Sequence, residues 1–80
     1  RVRLSDEVLA AGLKTPDDVV AYFHNKYFSV ELAPEVLRDL ALSLAADLAG
    51  EDIPAARSYL ESPLRRLLHN MLSLPDYQLG

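Results

Sequence analysis

Two histidines, a pair of adjacent aspartates and a pair of adjacent arginines are the side chains whose types could do chemistry in this 80-residue chain. A zinc site needs three or four N, S or O ligands at defined spacing. His24 and His69 lie far apart, and neither has a second ligand three or four positions away. There is no cysteine, so neither a thiolate site nor a disulfide framework can form. Asp17 and Asp18 follow Thr15-Pro16, where two carboxylates serve the positive end of a helix dipole rather than acid–base work. Nucleophilic catalysis needs a hydroxyl, a base within reach and a group that orients the base. Ser73 follows His69 by four positions, but no third member is apparent. The sequence therefore predicts no catalytic residue, no metal and no cofactor, and a chain that is not an enzyme.

Arg65 and Arg66 fall in the first turn of a predicted helix, the unfavourable end of the dipole for cations. Pairing with Glu61, Glu51 or Asp52 would account for them; the functional alternative is an anionic group on a partner. Tyr22, Tyr27 and Phe28 crowd one corner with His24 on its rim. Aromatic rings at a helix junction are core material. The rival reading is a ligand-binding or catalytic corner built from His24, Tyr22 and Tyr27.

The elements that must position these groups are helices. The longest pattern is residues 33–50, APEVLRDLALSLAADLAG. Pro34 suits the first helical position, and Glu35 sits near the positive end of the dipole. At 100° per residue Leu37, Leu40, Ala41, Leu44, Ala45 and Leu48 share a face. Gly50 is the expected stop, able to adopt a left-handed conformation. Leu42 and Ala46 point away from the leucine stripe, which marks either a face covered by this chain or a contact with another.

Around this central helix, Ser5 is expected to cap a short first helix, with Leu4 and Leu9 at hydrophobic-staple spacing and Gly12 near its end. Thr15-Pro16 starts a second helix with a stripe of Val19, Val20, Phe23 and Tyr27. Asp52 is placed to cap a short helix from Pro54 to Leu60, anchored by Tyr59 and Leu60. Ser62-Pro63 reads as the start of a last helix, with Leu64, Leu67, Leu68, Met71 and Leu72 on one side and Arg65, Arg66, His69, Asn70 and Ser73 on the other. Pro75 ends it. Tyr77 and Leu79 are expected to tuck under the bundle. No segment alternates with period two. The predicted fold is all-α, one domain over residues 1–80, a compact bundle of four to five short helices.

Half the residues are apolar and a quarter charged, a globular composition. A formal charge of −4 argues against general nucleic-acid binding. No run approaches the roughly 18–20 apolar residues of a membrane span. The size and acidity suit an acyl carrier protein, but the Asp-Ser pair that carries such a protein's prosthetic arm is missing.

The segments TPDDVVAYF, LAPEVLRDL and, above all, LRRLLHNMLSLPDYQL resemble the C-terminal end of the bacterial DUF1800 family. That family is uncharacterised, helical and several hundred residues long, and many members look exported. The resemblance implies a C-terminal fragment of a larger protein in a periplasmic or extracellular setting, and carries over no catalytic residue. Taken together, these readings point to a non-catalytic interaction or structural module that binds a protein partner or itself. The expected contact residues are Leu42, Ala46, Arg65, Arg66 and His69.

Overall fold

Thr15-Pro16-Asp17-Asp18 builds the start of the second helix as its residue types dictate. The computed structural model describes residues 3–75, and in it the Thr15 hydroxyl accepts from the Asp18 amide while the Asp18 carboxylate accepts from the Thr15 amide, a reciprocal capping box. The amides of Lys14 and Thr15 hold the Asp18 carboxyl below its ordinary pKa. Among the described residues four α-helices follow in order: α1 (Leu4–Ala10), α2 (Pro16–Tyr27), α3 (Pro34–Asp47) and α4 (Glu61–Leu72), with a 3₁₀ turn at Arg57–Tyr59 before α4. No strand occurs among the described residues. The architecture is a small all-α bundle in which α3 packs against both α2 and α4, and α4 carries α1.

The core is one cluster. Val8, Val19, Val20 and Phe23 from α1 and α2 meet Leu40, Ala41 and Leu44 from α3 and Leu64, Leu67 and Met71 from α4. Burying each large side chain contributes on the order of 1.5–3 kcal/mol. Ile53, fully buried, donates its amide to the Lys14 carbonyl at 2.9 Å, tying the α3–α4 connection to the α1–α2 turn. The expected leucine face of α3 is buried at Leu40, Ala41, Leu44 and Leu48, with Leu37 and Ala45 partly covered. Tyr27 and Leu72, expected on apolar stripes, lie at the edges and are largely exposed.

Three starts differ from expectation. Ser5 does not cap α1; it lies inside the helix and is buried, and Leu4 is already helical. The cap comes instead from α4. The Glu61 carboxylate accepts from the Ser5 amide at 2.8 Å and the Leu4 amide at 3.3 Å. It also pairs with Arg65 Nε at 2.9 Å, one turn along, and with Arg3 at 3.8 Å. Burial pushes the Glu61 carboxyl up, but the Ser5 amide and hydroxyl, the Leu4 amide and Arg65 outweigh it and hold the group below its ordinary value. Second, α4 begins at Glu61, so Ser62 is not its cap and Pro63 sits in the first turn, where no amide donor is needed. Third, Asp52 does cap, accepting from the Ala55 amide at 2.9 Å, but the backbone closes into turns and then the 3₁₀ segment rather than an α-helix. The Tyr59 hydroxyl there donates to the Leu48 carbonyl and contacts Glu51. The expected contacts of Tyr77 and Leu79 lie outside the described residues.

The helix ends show one motif used twice. After α1, Gly12 takes φ 74°, and the Leu13 amide reaches back to the Val8 carbonyl. After α3, the Gly50 amide reaches back to the Ala45 carbonyl at 3.1 Å and the Ala49 amide to that of Ala46. This is a Schellman closure whose left-handed position falls on Ala49, φ 55°, one residue before the predicted Gly50, itself at φ 80°. A Cβ in that conformation costs roughly 1–2 kcal/mol. Ala49→Gly should therefore stabilise the domain, by up to about 1 kcal/mol after the extra chain entropy of glycine is offset, measured as a shift of the urea midpoint at unchanged slope. Glu61→Ala removes the acceptor for two α1 amides and should destabilise by about 1–2 kcal/mol, with the fastest amide exchange appearing in α1.

Candidate functional site

Of the side chains singled out for chemistry, those on α2 separate into two environments. Tyr22, Lys26 and Tyr27 turn toward α1 and converge on one carboxylate, that of Glu7. The Tyr22 hydroxyl donates to Oε2 at 2.9 Å, and the Tyr27 hydroxyl donates to Oε1 at 3.1 Å. The Lys26 ammonium contacts Oε2 and stands 5.6 Å and 5.4 Å from the Tyr22 and Tyr27 ring centroids. Phe23 supports the pair from below, its ring 6.0 Å from Tyr22 and 5.7 Å, edge on, from Tyr27. An open cleft of about 770 Å³ lies over this cluster, lined also by Leu4, Asp6, Ala10 and Ala11.

His24 is not part of it. Expected on the rim of the α2 stripe, where a histidine beside aromatic residues packs more often than it reacts, it is packed: only 8 % exposed and stacked on Phe28 with 19° between ring planes. Its Nε2 lies 3.0 Å from the Val30 carbonyl and 3.2 Å from the Leu32 amide. One tautomer donates to Val30 and the other accepts from Leu32, so the ring pins the loop into α3 in either form. The expected corner of His24, Tyr22 and Tyr27 thus divides into a structural histidine and a surface tyrosine pair.

The expected contact residues are placed as follows. Leu42 is 57 % exposed at the middle of α3, and Ala46 is exposed one turn on. Leu42 borders a shallow groove between α2 and α3, lined with Pro16, Asp17, Arg38, Ala41 and Ala45, which continues past Val20, Ala21, Pro34 and Leu37. Arg65 pairs with Glu61 as the charge pattern suggested, whereas Arg66 reaches across to Asp47 of α3 at 3.3 Å rather than to Glu51 or Asp52. His69 is exposed, and the Ser73 hydroxyl donates to its backbone carbonyl at 2.9 Å.

No family model, no curated protein and no solved structure matches this chain. Among the described residues, no three His, Cys, Asp or Glu side chains gather closely enough to hold a metal ion, and no helix is long and apolar enough to cross a membrane. The sequence reading did not single out Glu7 or Lys26: Glu7 falls in the first turn of the first helix, where a carboxylate serves the dipole, and nothing local marks Lys26. Only the tertiary fold, which seats α1 on α4 and α2 on α3 so that Glu7 faces Lys26, brings them together.

The charges of the cluster set a pH window. The Lys26 ammonium, joined by the two tyrosine hydroxyls, holds the Glu7 carboxyl below its ordinary value against the opposing effect of burial. Glu7 in turn raises Lys26, and burial followed by Glu7 raises the Tyr27 phenol. A depressed carboxylate stabilises the fold above its unfolded pKa and loses that contribution as pH falls through the folded value. A raised ammonium or phenol stabilises below its unfolded pKa and loses the contribution as pH rises through the folded value. Thermal midpoints should be level between about pH 5 and pH 10 and fall on both sides. Glu7→Gln should lower the plateau and flatten the acid limb, as read by circular dichroism melts across pH.

Proposed function

We propose that this domain is a non-catalytic helical interaction or structural module that engages a protein partner or a second copy through the outer face of α3. The observation that carries the reading is Leu42, more than half exposed in the middle of a helix whose other leucines are buried or partly covered. Leu42 lies beside an apolar groove, with Ala46 on the next turn. Arg65, Arg66 and His69 on α4 are the polar part of the proposed contact set; all three are exposed, and each arginine is already held by a carboxylate of this chain. The segments that resemble the DUF1800 family support a further proposal, that the module is the C-terminal part of a larger bacterial protein in a periplasmic or extracellular setting.

Leu42→Asp separates contact from core. A surface substitution changes stability by no more than about 0.5 kcal/mol, whereas a charge forced into the core costs several. Wild type should self-associate in sedimentation velocity, and the variant should keep the wild-type melting midpoint and sediment as a monomer at matched concentration. A variant that unfolds, or one that sediments like the wild type, overturns Leu42 as the contact.

A further inference from the structure

The arrangement of Lys26 has the parts of an ammonium-binding site. A cation within about 6 Å of a ring centroid is attracted by the negative face of the ring, and the Lys26 ammonium meets that condition with both Tyr22 and Tyr27. Its counter-charge is Glu7, whose oxygens are oriented by the two phenolic hydroxyls. Asp6 adds a second negative group to the lining, and the cleft is open to solvent. The Lys26 side chain reaches Glu7 from the solvent side, with 47 % of its surface exposed.

We propose that the α1–α2 cleft is a binding site for a primary alkylammonium ion, and that Lys26 is its internal occupant, which an external amine displaces. The shape of the donor set selects the ligand class. Glu7 accepts N–H donors, so a primary ammonium gains a charge-assisted hydrogen bond that a quaternary one lacks. The rings and Ala10 and Ala11 suit a short apolar stem. Lys26 competes from a tether of one side chain, so it sets a threshold below which the cleft stays self-filled. Removing its charge opens the site. This inference concerns a different face from the Leu42 surface and stands or falls separately.

The test is a titration with n-butylammonium chloride, followed through the backbone amides of residues 7, 22 and 27 by ¹⁵N-resolved NMR. n-Butanol serves as the uncharged control, and a blocked lysine peptide as the protein-borne source of the same group. Wild type should show saturable shifts with butylammonium and not with butanol. Lys26→Ala should bind at least about tenfold more tightly, since the tethered competitor is gone, and adding Glu7→Gln should abolish the gain. Tighter binding of the peptide assigns the ligand to a lysine side chain, and the reverse order assigns it to a free amine. A folded Lys26→Ala that binds no more tightly than wild type, or a gain that survives Glu7→Gln, overturns the proposal. Should Lys26→Ala lose its helical signal, Lys26→Gln, which keeps most of the stem, takes its place. Should that variant unfold as well, the absence of a saturable butylammonium shift in wild type, up to the highest concentration at which butanol leaves the spectrum unchanged, is the overturning result.

Discussion

A single carboxylate joins the first helix to the last. A helix of seven residues forms too few hydrogen bonds to offset its nucleation, so α1 depends on what surrounds it. Val8 supplies the apolar part by burial in the common core. The polar part is Glu61, which satisfies two amides at the start of α1 from the first turn of α4. That choice has a second effect. Glu61 occupies the position where an acidic residue complements the dipole of its own helix, and it also neutralises Arg65 one turn along. One side chain thus closes one helix, opens another and offsets a cation placed at the wrong end. The orientation of α1 in turn presents Glu7 to α2, and without it Tyr22, Lys26 and Tyr27 have no common partner.

The exposed face of α3 follows from dimensions. The molecule extends 35 × 28 × 18 Å, and a helix with its side chains is about 10–12 Å across. Its shortest axis has room for about two layers, so a helix with apolar residues all round cannot be enclosed. The buried side of α3 carries Leu40, Ala41 and Leu44. Leu42 is left to solvent by the same geometry that gives a short chain a high ratio of surface to volume.

Sequence reading succeeded where the determining contacts are local. The Thr15–Asp18 box spans three positions, and α2 starts where those residues say it should. The leucine period of α3 and the termination of α4 before Pro75 are local for the same reason. Ser5 and Ser62 have the residue type of a cap, but Ser5 is displaced by Glu61, an acceptor that packing delivers from 56 positions away, and Ser62 falls inside α4, which begins one residue earlier. His24 looked like a rim residue because periodicity places its ring beside the stripe, and only the path of the loop through Val30 and Leu32 covers it. Of the two surface features, the outward Leu42 was legible in the helical period. The Glu7–Lys26 cluster was not, since its partners are 19 positions apart on different helices.

The long reach of Glu61 also orders events during synthesis. The chain leaves the ribosome from its N-terminal side, at about 5–20 residues per second. Of the four helices described, α1 emerges before the others, yet the acceptor for its Leu4 amide follows 57 positions later. Until then α1 has neither its cap nor the α4 surface beneath it, whereas α2 carries its own capping box from the outset. Within this domain the start of α1 is therefore completed only once α4 is in place, whereas the start of α2 needs nothing beyond its own first turn.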